Sequence, residues 1–177
     1  MTSPRTTAAA ARFCDVIDEV NRWMGRFWGL SILLVTFAVI YEVVARGVFG
    51  RATLWANETT IYLSATAYLI AGGYALQGRM HVRIDVVYAT FSPRGRARAD
   101  LFGFVFFFVY AATLVWIGGE MAWTSFQQAE TTGTPWNPPI WPVKAAIPVA
   151  GVLLLLQGIA NIIRDLAVPH GVGTYDR

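Results

Sequence analysis

The groups in this chain that could do chemistry are few. Cys14 is the single cysteine among 177 residues, and His81 and His170 are the two histidines. A lone thiol makes neither an intrachain disulfide nor a cysteine metal cluster. A helical membrane cytochrome needs histidine ligands inside its helices, and both histidines fall outside the long apolar runs. The sequence contains no recognisable hydrolase motif and no glycine-rich phosphate loop. No catalytic residue, cofactor or metal is therefore expected. What remains is a small set of charges beside apolar segments, where the available chemistry is ion pairing or proton exchange.

Glu42 stands one helical turn before Arg46, the favourable order for an i,i+4 ion pair. Both lie toward one end of an apolar run. An unpaired charge at the centre of a bilayer costs about 3 kcal/mol on insertion scales, and less near the interface. A structural pair is favoured over a proton relay. Glu58 follows "LWAN" and opens the next apolar run, where an acid suits the positive end of a helix dipole. Trp55 precedes it as an interfacial anchor. Glu120 and Glu130 flank the end of the third run and are expected to be solvated.

These charges need helices to hold them, and the composition says which kind. The chain is 55% hydrophobic and 14% charged, with a mean hydropathy of +0.47. An average soluble domain is roughly 25% charged. The apolar excess must face lipid. Four stretches stay uncharged for long enough to matter: 27–41, running on through Glu42 to about Phe49, then 59–78, 101–119 and 145–163. At about 1.5 Å per residue, a run of some twenty residues spans the roughly 30 Å hydrocarbon layer. The expected fold is an all-α integral membrane protein with four transmembrane helices. The spans are placed at about 27–49, 55–78, 100–121 and 143–164, within a domain covering 13–167.

Basic residues orient the spans. Eleven of the fourteen Lys and Arg lie before the first span, between the second and third, or after the fourth. The other three, Arg46, Arg51 and Lys144, belong to the remaining two loops. Positive loops stay in the cytoplasm, so both termini are expected inside. The sequence pI near 9.3 reflects this asymmetry and does not point to nucleic acid, because no basic patch lies on a soluble domain.

Residues 1–12 are expected to form a disordered tail without a cleavable signal, and 168–177 a second short tail. From Phe13 the pattern becomes helical. Phe13, Val16, Ile17, Val20, Trp23, Met24 and Phe27 fall on one side, and Asp15, Asp18, Glu19 and Arg22 on the other. This predicts an amphipathic N-terminal helix, either lying in the membrane interface or packed on a partner.

Between the second and third spans, "GRMHVRIDVV" alternates charge with apolar residues. Met80, Val82 and Ile84 would dip into lipid or a partner. Arg79, His81 and Arg83 would meet anionic phospholipid head groups, with Asp85 placed to pair with Arg79 or Arg83. The alternative is a solvated loop. Ala67, Ala71 and Ala75 recur every four residues along the second span, beside Gly72 and Gly73. In lipid, small residues let helices approach, so this row is the expected packing face. The third span carries Phe102, Phe104, Phe106, Phe107 and Phe108 around its circumference, an expectation of lipid exposure.

The order of these features resembles the small membrane subunit of a tripartite ATP-independent periplasmic (TRAP) transporter. "RGVFGRATLWANE" carries Arg46, Phe49, Trp55 and Glu58. "AGGYALQGRMHVRIDVV" carries Arg79, His81, Arg83 and Asp85, and "TPWNPPIWPVKAAIPVAG" carries Trp141, Lys144 and Pro148. Many members of that family have two acids after the tryptophan; here Asn57 replaces the first. The resemblance implies cytoplasmic termini, an amphipathic connection between helices 2 and 3, and a location in the bacterial inner membrane. It further implies a non-catalytic scaffold role beside a large permease subunit. In that arrangement the large subunit performs sodium-driven uptake of a carboxylated solute delivered by a periplasmic substrate-binding protein. A competing reading of the residues is a small proton-coupled multidrug exporter acting through Glu42 or Glu58.

Overall fold

The computed structural model of the chain describes residues 8–77 and 93–167, with side chains described over 8–77 and 102–164. The described residues form four helices: α1 Ala8–Phe49, α2 Ala56–Gln77, α3 Pro93–Gln127 and α4 Trp141–Ala167. They contain no strand, only an isolated bridge between Thr131 and Pro139. The segment holding Arg79, His81, Arg83 and Asp85, with its expected amphipathic connection, lies outside the described residues.

The helices pair α1 with α2 and α3 with α4, and α4 also packs on α2 and α1. Thus α4 is the hub. Its most apolar stretch is 44% buried, against 11% for the corresponding stretches of α1 and α3. Those three helices are each long and apolar enough to cross a membrane. α2 is shorter and more dilute, because Thr, Ser, Gly and three tyrosines interrupt its apolar residues.

α1 begins at Ala8, within the stretch expected to be a tail, and carries the amphipathic pattern from Phe13 directly into the first span. It is one uninterrupted 42-residue helix, about 63 Å long at the standard rise. Neither Gly25 nor Gly29 breaks it, since an isolated glycine costs a helix only about 1 kcal/mol. The packing is the reason it stays continuous. Cys14, Ile17, Asn21, Ser31, Ala38 and Ala45 are buried, and Met24, Trp28, Val35 and Glu42 between them are half-buried. Together they alternate steps of three and four, the seam of a left-handed coiled coil.

The other helices repeat this spacing with small side chains. α3 buries Ala111, Gly118 and Ser125, one in each seven. Gly118 faces Ile147 and Pro148; Gly151 faces Leu114 and Val115; Gly158 faces the ring of Phe107. A Cβ on Gly158 would come within 2.5 Å of that ring, so the backbones meet there because a side chain is missing. Phe102, Phe104 and Phe106 do face outward, whereas Phe107 and Phe108 are half-buried.

On α2 the buried stripe is Ala56, Thr66, Ile70 and Gly73. The alanine row lies beside this stripe and largely outside the contacts within the chain. Ala71 is exposed, Ala67 and Ala75 are half-buried, and Gly72 sits at ordinary distance from Leu154. A seven-residue rhythm, not a four-residue one, sets the contact, because a long straight seam drifts off a strict i+4 row.

Hydroxyls on these helices spend their donors locally. Ser31, Thr36, Thr60, Thr66 and Thr113 each bond a carbonyl three or four residues earlier. In an apolar surround this satisfies the hydroxyl without a partner helix.

Candidate functional site: polar clamps at the two ends of the bundle

The bundle has a loop end, carrying the 50–55 and 128–140 connections, and a terminus end, where α1 begins and α4 finishes. At the loop end α1 stops at Gly50, whose left-handed φ of +62° lets Arg51 N–H reach back to the Ala45 carbonyl at 3.1 Å. The chain then folds over Glu42. Arg46 donates to Glu42 Oε1 from Nη2 at 2.5 Å and from Nε at 3.1 Å. Thr53 donates its backbone N–H to Glu42 Oε2 at 3.0 Å and its hydroxyl to the same oxygen. The carboxylate thus ties the α1–α2 connection to the helix it has just left. Arg46 stays mostly exposed.

Trp55 stacks on Tyr41 with ring centroids 5.7 Å apart, and its carbonyl accepts from Thr59 as α2 begins. Glu58, in the first turn of α2, accepts from the Thr132 hydroxyl at 3.2 Å. That bond links α2 to the 128–140 loop. The loop is itself knotted: Ile140 N–H donates to Glu130 O at 3.0 Å, Thr132 N–H to Pro138 O at 3.2 Å, and Gly133 N–H to Asn137 Oδ1 at 2.9 Å. Lys144 donates to the Glu130 carboxylate, which holds that carboxyl below the usual glutamate range. Glu130 is therefore paired as well as partly solvated. Trp141 begins α4 edge-on to Phe126 at 5.5 Å. Pro148 lies inside α4, against Gly118.

The terminus end holds residues that the sequence reading left aside. Asn21 on α1 and Gln157 on α4 are 1% and 0% exposed. Asn21 Nδ2 donates to Gln157 Oε1 at 2.7 Å and to its own helix at Ile17 O. Gln157 Nε2 in turn donates to Asp18 Oδ1 at 2.9 Å. Arg164 grips Asp18 with two bonds, Nη1 to Oδ1 at 3.1 Å and Nη2 to Oδ2 at 2.6 Å. Asn161 Nδ2 reaches the Leu76 carbonyl on α2 at 3.4 Å, and Cys14 Sγ donates to the Ala160 carbonyl at 3.6 Å.

Gly73 makes this possible. A Cβ there would sit 2.3 Å from Asn21 Oδ1. Gly25 likewise admits the Tyr74 ring, which a Cβ would meet at 2.6 Å. Three helices are thereby joined through a buried amide cluster capped by a bidentate ion pair. A usable signal existed: Asn21, Gln157 and Asn161 are uncommon side chains for otherwise apolar helix faces.

Among the described residues, no three His, Cys, Asp or Glu side chains gather as a metal site requires. Most of the polar atoms hold helices and connections together, while Asn21 Oδ1 is buried without a hydrogen-bond partner.

A sequence model of the tripartite ATP-independent periplasmic transporters, DctQ component, matches residues 21–168. No curated protein matches the chain.

Proposed function

Because the chain belongs to the DctQ family of TRAP transporter components, we propose that it works as the non-catalytic scaffold of such a transporter. In this reading all four helices span the bacterial inner membrane, α2 included. The terminus end faces the cytoplasm, as the basic residues of its loops favour, and the loop end faces the periplasm. The partner is the large permease subunit, which performs sodium-driven uptake of a carboxylated solute delivered by a periplasmic substrate-binding protein. Arg79, His81 and Arg83 meet anionic phospholipid at the inner surface, and Asp85 pairs among them.

The observation that supports this reading best is the double clamp. Helices pinned by polar networks at both ends, and meeting through small residues between, suit a wall more than a moving carrier. The solute sites of carriers are built from broken helices near mid-membrane. Here α1 runs unbroken and the polar groups sit at the ends.

The exporter alternative requires a carboxylate free to exchange protons. Glu42 is committed to Arg46 and Thr53, and Glu58 accepts from the Thr132 hydroxyl.

Co-expression with the adjacent genes' products and gentle detergent extraction test the proposal. The chain is expected to leave the membrane with a large permease subunit, and neither alone is expected to accumulate solute in liposomes. Proton-coupled efflux by the purified chain alone, abolished by Glu42→Gln, would establish the exporter instead.

A further inference from the structure

At the loop end, α1 and the start of α2 leave an open groove of about 430 Å3 between them, within the range of small-molecule sites. Its two ends differ in chemistry. Ala38, Val39 and Val43 line one end, and Arg46 and Asn57 the other. Ala38 and Arg46 are eight residues apart, about 12 Å along the axis of α1. Gly47 leaves the outer wall without a side chain, and a Cβ there would meet nothing within 4 Å.

The polar end falls at the membrane interface. Trp55 and Tyr41 stack beside it, and such amphipathic rings settle at the head-group level. The apolar end then lies about 12 Å deeper, close to the roughly 15 Å of hydrocarbon in one leaflet.

The hydrogen-bond inventory limits what can sit there. Glu42 also lines the groove. It already accepts from Arg46 Nε and Nη2 and from the Thr53 N–H and hydroxyl. A carboxylate has about four such positions, so an amine or a metal ion would find no carboxylate oxygen free. Arg46 is the reverse. A guanidinium has about five N–H groups, and among the described residues only Nε and one Nη2 hydrogen are used. Its side chain is 66% exposed. Asn57, also exposed, adds an amide. The groove therefore offers donors at its outer end and apolar surface beneath.

We propose that this groove holds one glycerophospholipid of the adjoining leaflet. Its phosphate accepts from Arg46 and Asn57, and one acyl chain lies along Val43, Val39 and Ala38. An extended acyl chain enters such a groove; a protein helix, about 10–12 Å across, would rest on the rim and leave the floor unfilled. The inference needs α1 in the bilayer and does not depend on the scaffold role.

Native mass spectrometry of the full chain, delipidated in detergent and titrated with phosphatidylglycerol, tests it. The wild-type chain is expected to keep one lipid under activation that strips loosely held ones. Gly47→Leu fills the outer end, and Asn57→Asp sets a carboxylate against the phosphate. Each is expected to weaken binding roughly tenfold. Neither should harm the fold: leucine enters open space and favours a helix, and an acid suits the first turn of α2. Gly29→Leu is the matched control. Gly29 lies on α1 outside the groove, a Cβ there also meets nothing within 4 Å, and this variant should bind as the wild type does. Melting temperatures of the delipidated chains check folding. Equal retention by the wild type and Gly47→Leu, or equal loss in Gly47→Leu and Gly29→Leu, would overturn the site. So would wild-type binding by Asn57→Asp, which would remove the phosphate from the outer end. Thermal protection by inorganic phosphate equal to that by phosphatidylglycerol would make this an anion site and overturn the lipid. A dimer kept by the wild type and lost in Gly47→Leu would give the groove to a second copy and overturn it equally.

Discussion

The two ends of the bundle are fastened in opposite ways. At the loop end the bonds are charged, only partly buried and mostly short in sequence: Glu42 with Arg46 and Thr53, Glu130 with Lys144. At the terminus end they span most of the chain and centre on a buried amide pair, Asn21 and Gln157, separated by 136 residues. An exposed ion pair is worth roughly 0–1 kcal/mol. A buried polar group left without its partner costs about 1–3 kcal/mol. The terminus end is where the helices are committed to one another; the loop end mainly shapes connections.

The largest expected effect tests that claim directly. Gln157→Ala removes a fully buried side chain and strands the Asn21 amide, so it should cost about 3 kcal/mol. Thermal unfolding in detergent, followed by tryptophan fluorescence, reads it. A loss no larger than that of Arg46→Ala would erase the contrast between the ends.

Gly73→Ala comes next, at about 2 kcal/mol, because its Cβ would collide with Asn21 Oδ1. The same change in an Asn21→Ala background should cost markedly less. A purely additive pair would mean that Gly73 is not making room for Asn21.

Asp18→Asn weakens the bidentate bond with Arg164 and should cost about 1.5 kcal/mol. Raised salt should weaken the wild type less than an exposed pair, since Asp18 is largely shielded.

At the loop end the effects are smaller. Lys144 depresses the Glu130 carboxyl, so their contribution is present above the ordinary glutamate range. It is lost as pH falls through that range toward the depressed value. Melting temperature should therefore decline with acid, and Lys144→Met should flatten that part of the profile. An unchanged profile would remove Glu130 from the clamp. Arg46→Ala should stay within about 0.5 kcal/mol, with amide exchange at Thr53 as the sensitive readout of the connection.

The same contrast explains what could be read before the structure. Glu42–Arg46 is a neighbour relation on one helix, so spacing alone exposes it. Long apolar runs announce α1, α3 and α4 by length. The Asn21–Gln157 bond depends on how α1 and α4 lie side by side, and no local pattern encodes that register. In α2, alanine, glycine and threonine are all small enough to admit a neighbour. The choice between the Ala67–Ala71–Ala75 row and Thr66–Ile70–Gly73 falls to the seven-residue seam of the facing helices. The amphipathic pattern before Phe27 was legible as a helix. That it continues straight into the span follows from its grip on α4, which involves residues more than 130 positions away.

The unbroken α1 has a mechanical consequence. A rod some 63 Å long with no proline inside it and seam contacts along most of its length lacks the commonest helical hinge. A force applied near Phe13 reaches Glu42 almost undiminished, and the rod shifts as a piece or stays put. In α1 the chain carries a strut, against which a neighbour can push without the floor giving way.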